Sequence, residues 1–133
     1  HSQQTVLIAD DEESVRDFVS TVLGSAGFNV LTAKDGDEAL HMIWDVLPDL
    51  VILDVIMPCR EGLEVYAELR ADSRTAHLPV IMLTSVNEYR LGEPITGDSI
   101  SAKHGCPPEA FLEKPVSSSE LLQTVKKVLG ITG

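Results

Sequence analysis

Cysteine is scarce, and its scarcity is informative. Cys59 and Cys106 are the two cysteines in 133 residues, too few for a disulfide framework. No Cys/His cluster has the spacing of a zinc site. The two fall in loops expected at opposite ends of the fold, so a bridge between them is not expected, and a reducing cytoplasm is the expected setting. Long apolar runs are missing too: none reaches the length of a membrane span, and no signal peptide precedes the first predicted strand. Basic residues number 10 against 21 acidic, for a formal charge of −11. That balance argues against direct contact of this segment with nucleic acid or an anionic membrane, both of which need a Lys/Arg excess. It suits a divalent cation or a basic partner surface. Internal repeats and low-complexity linkers are absent. The length suits one domain over residues 1–133, able to bury its own core without staples.

What is present alternates. Thr5–Ala9 is a short apolar run, followed at once by Asp10-Asp11-Glu12-Glu13. Val15, Phe18, Val19, Val22, Leu23 and Ala26 then form a helical stripe closed by Gly27. Phe28–Leu31 reads as a second strand. Asp35 and Glu38 have capping-box spacing before a helix with Ala39, Leu40, Ile43 and Leu47 on its apolar face. Asp49–Asp54 is the third strand; its four consecutive apolar residues mark a strand buried on both faces. Gly62 precedes a short helix carrying Leu63, Tyr66, Ala67 and Leu69. Pro79–Leu83, ending at Thr84-Ser85, is the fourth strand. From Val86 to Glu109 periodicity fails among glycines and prolines, with a helix in part of the stretch at most. Ala110–Leu112 is the fifth strand, running into Glu113-Lys114-Pro115. A second capping box, Ser117 and Glu120, opens a last helix with Leu121, Leu122, Val125, Val128 and Leu129, stopped by Gly130.

Five strands alternating with helices predict a parallel sheet with right-handed crossovers: a flavodoxin-like (βα)5 doubly wound three-layer sandwich, strand order 2-1-3-4-5. In that order strands one and three are neighbours. Asp10, Asp11 and Asp54 then meet at the carboxyl ends of the strands, with Thr84 and Lys114 beside them. Taken singly, each has an ordinary reading. Asp54 could simply close a strand, Asp10-Asp11 could be first-turn helix charges, and Thr84 could be a strand-end hydroxyl. Taken together, converging carboxylates need a compensating cation, and an all-oxygen donor set favours Mg²⁺ over zinc. A carboxylate beside such an ion can attack a phosphoryl group to form an acyl phosphate. His41, His77 and His104 read as surface residues, and Trp44 as partial core.

The set Asp10-Asp11, Asp54 with Met57-Pro58 and Gly62, Thr84-Ser85, and Lys114-Pro115 resembles the receiver domain of two-component response regulators, over residues 5–129. The resemblance implies that Asp54 is the phosphoacceptor for a histidine kinase or histidine phosphotransfer protein. Asp11, Asp54 and the backbone carbonyl of Ile56 would ligate Mg²⁺ (Mn²⁺ as substitute), with Asp10 acting through water. Thr84 and Lys114 would bind the phosphoryl oxygens. Phe111 falls where such domains carry an aromatic switch side chain, though plain core is an equal reading. Lys114-Pro115 is where they usually carry a cis peptide. Partner choice, including a homodimer through the face of helix four, strand five and helix five, would follow phosphorylation.

Departures from the family pattern qualify this. The segment 86–109 is longer than the usual fourth helix and its loop. Glu61 stands where relatives often carry Asp. Ile56 and Val86 are apolar where relatives orient the attacking water, which predicts slow self-dephosphorylation. An alternative is a Mg²⁺-dependent aspartyl-phosphate phosphohydrolase, but that chemistry needs a second Asp two residues after the nucleophile, where Ile56 stands. A flavodoxin-like cofactor carrier would need a phosphate cradle where Asp10–Glu13 would repel one. The reading is a switch and not a conventional turnover enzyme.

Overall fold

The structure is a computed structural model that describes residues 4–55, 62–85, 89–90, 93–94 and 108–131. Its elements are β1 (Thr5–Ala9), α1 (Glu13–Ser25), β2 (Asn29–Ala33), α2 (Gly36–Val46), β3 (Leu50–Asp54), α3 (Gly62–Ala71), β4 (Val80–Ser85), β5 (Tyr89–Arg90), β6 (Glu93–Pro94), β7 (Ala110–Lys114) and, last of the described helices, α4 (Ser118–Leu129). Five parallel strands form one sheet in the order β2-β1-β3-β4-β7, which is the expected 2-1-3-4-5 once the short pair β5 and β6 is set aside. That pair is an antiparallel hairpin within the stretch where no regular strand was expected.

Alternation along the strands divides the core in two. Val6, Ile8, Leu50, Ile52, Ile81, Leu83 and Leu112 point to the face covered by Val19 and Leu23 of α1 and by Leu121 and Val125 of α4. Leu7, Ala9, Val51, Leu53, Val80 and Met82 point the other way, against Ala39, Leu40 and Ile43 of α2 and Leu63, Tyr66 and Leu69 of α3. All five residues of β3 are buried. It is the central strand, with helices packed on both faces, which is why its sequence is continuously apolar. Each such aliphatic side chain contributes roughly 1.5–3 kcal/mol by leaving water.

Several local expectations are corrected. β2 lies one or two residues later than expected. Leu47, expected on the apolar face of α2, is 50% exposed and sits beyond the helix end at φ 53°. Pro48 follows it and disfavours right-handed helical backbone at the preceding residue, so the helix must stop there. Phe18, also expected in an apolar stripe, is 37% exposed. The two predicted caps are present. The Asp35 side chain accepts from the Glu38 N–H at 2.8 Å, while Glu38 accepts from the Lys34 N–H and not from that of Asp35 itself. Ser117 Oγ accepts from the Glu120 N–H at 3.1 Å. No described helix is long and apolar enough to cross a membrane.

Candidate functional site

Sheet register builds the site. Ala9 pairs with Leu53, so the next residues, Asp10 and Asp54, emerge side by side from the two central strands. Asp54 pairs with Leu83, and Lys114 pairs with Ser85 on the far side of β4. The period of two then decides direction. Asp10 shares parity with Val6 and Ile8, Asp54 with Leu50 and Ile52, and Lys114 with Leu112. All three therefore point to the α1/α4 face and meet there. Thr84, half-buried, shares parity with Val80 and Met82 and lies on the other face. So does Phe111, which is partly buried against the α2/α3 core.

Asp10 and Asp54 are almost fully buried. The Lys114 ammonium stands 2.9 Å from Asp10 Oδ2 and 3.4 Å from Asp54 Oδ2, with Glu12 Oε1 at 3.8 Å. One cation thus faces three carboxylates. Burial pulls the Lys114 pKa downward, but the hydrogen bond to Asp10 and the charges of Asp54, Asp10 and Glu12 outweigh it. The ammonium is held above the ordinary lysine range. Asp10 is fixed further: its Oδ1 accepts from the Glu12 N–H at 2.9 Å, and its own N–H donates to the Ala33 carbonyl.

The acidic loop has the chemistry of a hard-cation site. Carboxylate oxygens of Asp10, Asp11 and Glu12 lie within 4.8 Å of one another, Asp10 buried and the other two exposed. An all-oxygen cluster with an excess of negative charge, beside the Asp54 carboxylate, fits Mg²⁺. Gly62 packs closely on the strand end that carries Asp54. Its N–H donates to the Val55 carbonyl at 2.8 Å, and a Cβ there would collide with the backbone carbonyl of Asp54. The Lys114–Pro115 peptide bond is cis. Ile56, Met57, Pro58, Cys59, Glu61, Val86, His104 and Cys106, and the fourth helix expected within 86–109, lie outside the described residues.

Two participants escaped the sequence reading. Glu12 was read only as part of an acidic run that would repel a phosphate, yet it reaches Lys114. Arg16 was not singled out at all, though its guanidinium donates to the Asp10 carbonyl at 2.7 Å. Its only signal was its place four residues after Glu12, one helical turn along α1. Beside Lys114 and Glu12, an apolar groove of about 450 Å³ opens between α1 and the start of α4, lined by Val15, Phe18, Pro115 and Val116 among others.

A parallel 2-1-3-4-5 sheet with buried carboxylates and a lysine at its carboxyl edge defines a class, and comparison with known proteins agrees. The response regulator receiver domain family matches residues 6–126, and the chain belongs to that family. It is 38% identical over 128 residues to "Probable transcriptional regulator ycf27" of Guillardia theta, covering 96% of this chain and 46% of that protein. To the phosphate regulon transcriptional regulatory protein PhoB of Pseudomonas aeruginosa it is 35% identical, covering 98% of this chain and 53% of PhoB. The structure of chemotaxis protein CheY4 from Vibrio cholerae superposes with a TM-score of 0.80 at 31% identity, covering 96% of this chain and 99% of that one. The chain therefore spans about half the length of the curated relatives it matches, and nearly all of a receiver of known structure.

Proposed function

We propose that this receiver domain, occupying residues 5–129, takes a phosphoryl group from a phosphohistidine onto Asp54 and so switches the surface it offers to partners. The observation that carries the reading is the convergence of Asp10 and Asp54 on the Lys114 ammonium, at 2.9 and 3.4 Å. An Asp54 carboxylate oxygen attacks phosphorus, a P–O bond forms as the P–N bond to the donor imidazole breaks, and the imidazole leaves with the bonding pair to be protonated. Asp11, Asp54 and the Ile56 carbonyl would hold Mg²⁺, with Asp10 reached through water; the bound ion neutralises charge on the phosphoryl oxygens. Lys114 moves from its carboxylate partners to the new acyl phosphate, and the Thr84 side chain, which starts on the opposite face at the end of β4, turns across the strand end to hydrogen-bond a phosphoryl oxygen. The donor is a histidine kinase or histidine phosphotransfer protein, and the groove beside Lys114 offers it an apolar footing next to Asp54. The phosphorylated state is read by a downstream protein, an output segment, or a second copy meeting a face that includes β7 and α4. The domain accepts and loses a phosphoryl group, and is no turnover enzyme.

Incubation with Mg²⁺ and acetyl phosphate tests this. One base-labile phosphoryl group is expected, absent when the cation is chelated and absent in Asp54→Asn. No modification, or modification indifferent to that substitution, overturns the proposal.

A further inference from the structure

Asp10 is held at four atoms. Its N–H donates to Ala33, Oδ1 accepts from the Glu12 N–H, Oδ2 faces Lys114, and its carbonyl accepts from Arg16 Nη1 at 2.7 Å. The first three holds come from β2, from the loop itself and from the end of β7. The fourth is the tie from an α1 side chain to this residue. α1 has need of such a tie, because Glu12 occupies its N-cap without making a side-chain capping bond and turns toward Lys114 instead. Capping normally fastens a helix to the loop before it.

We infer that Arg16 is a positioning residue for cation binding: by gripping the Asp10 carbonyl, it fixes the direction in which the Asp11 carboxylate leaves the loop. The peptide unit is planar, so fixing the Asp10 carbonyl fixes the Asp11 N–H and the course of the chain into Asp11. Asp11 is exposed, so no buried packing fixes its side chain. A charge-assisted bond of this length, from a half-buried guanidinium, is among the stronger ones available. The inference rests on the Mg²⁺-binding reading above and adds to it a residue outside the ligand set.

Charge and position pull in opposite directions, which makes the test decisive. If Arg16 acted only as a nearby positive charge, removing it would tighten Mg²⁺ binding by relieving repulsion. If it positions the loop, removing it weakens binding, by roughly tenfold for an outer-shell partner of a metal ligand. Calorimetric titration of the whole chain with Mg²⁺ is therefore expected to show about tenfold weaker binding in Arg16→Met. Arg16→Lys, which keeps the charge and one donor, is expected to fall between the two. In the absence of Mg²⁺, the Glu12 amide resonance is expected to move in Arg16→Met, because the Asp10 Oδ1 bond it makes is loosened. Binding in Arg16→Met that equals or exceeds wild type overturns the inference; should that variant not fold, unchanged binding in Arg16→Lys does so. Wild-type protein that binds no Mg²⁺ and accepts no phosphoryl group defeats the function proposed above, a result separate from a wild type that does both while Arg16→Met matches it.

Discussion

The two ends of the sheet hold charge in opposite ways. At the amino end of β4 and β7, Arg70 of α3 stacks over the Tyr66 ring at 4.7 Å and donates to the Tyr66 hydroxyl, to the carbonyls of Ala76 and Leu78, and to Glu109. Glu109 in turn accepts from the Val80 N–H at 2.7 Å. One cation and one anion are matched there, with backbone groups filling the remaining donors. At the carboxyl end, among the described residues, Lys114 faces Asp10, Asp54 and Glu12, with Asp11 close by. The first arrangement is what a half-buried ion pair looks like when it only holds a structure together, each charge having its partner. The second gathers more carboxylates than cations among the described residues, two of those carboxylates buried, which costs stability unless a cation or a reaction uses it. Satisfaction at one end and imbalance at the other separate scaffold from site without appeal to any relative.

Breaking the contrast starts where α3 joins the two ends. Gly62 packs against the Asp54 backbone, so Gly62→Ala must displace backbone and not a flexible side chain. We expect a loss of about 3 kcal/mol, at the upper end for overpacking, read as a lowered urea midpoint with unchanged slope; a loss below half a unit would show that the loop yields. Next, Arg70→Met removes the centre of the matched network and takes the Arg70 donor from the carbonyls of Ala76 and Leu78. Denaturant unfolding should report a loss of roughly 2–3 kcal/mol, with acetyl phosphate labelling unaltered; impaired labelling would mean that the two ends are not independent.

Lys114→Met should cost less, about 2 kcal/mol, since the ammonium is only partly buried and water can replace some of its interaction. The sign with pH follows from its raised pKa. The lysine's contribution is present at all pH below its ordinary value of 10.5 and is lost only as pH climbs through the higher folded value. The stability gap between wild type and variant should therefore stay level from neutrality to near 10.5 and close above it; a gap that closes near neutrality would refute the assignment. The smallest effect on stability is expected for Asp54→Asn. Taking one anion from a crowded site should change the unfolding free energy by less than about 1 kcal/mol, in either direction, even though labelling disappears. A loss as large as that of Arg70→Met would erase the distinction drawn between the two ends.

Much of this was legible beforehand because period and punctuation are local properties. The run Leu50–Leu53 marked a strand covered on both faces, Asp35/Glu38 and Ser117/Glu120 marked helix starts, and Gly27 and Gly130 marked ends, both with positive φ. Asp10, Asp54 and Lys114 were legible as a group once a strand order was assumed. Leu47 was misplaced because the pattern of α2 was extended through a residue that Pro48 removes from the helix. Arg16 was missed because its partner is a backbone carbonyl, which no pattern of side chains announces. Glu12 was undervalued because its partner, Lys114, lies about a hundred residues away in sequence and nothing local pairs them.

By itself the sequence determined the alternation of elements and the presence of acids at the ends of the first and third strands, because hydrophobic period and turn chemistry act within a few residues. Only the tertiary structure decided that Asp10, Asp54 and Lys114 share a face and a cation while Thr84 and Phe111 lie on the other side. That outcome depends on register between strands distant in sequence, where a slip of one residue would turn every side chain to the opposite face.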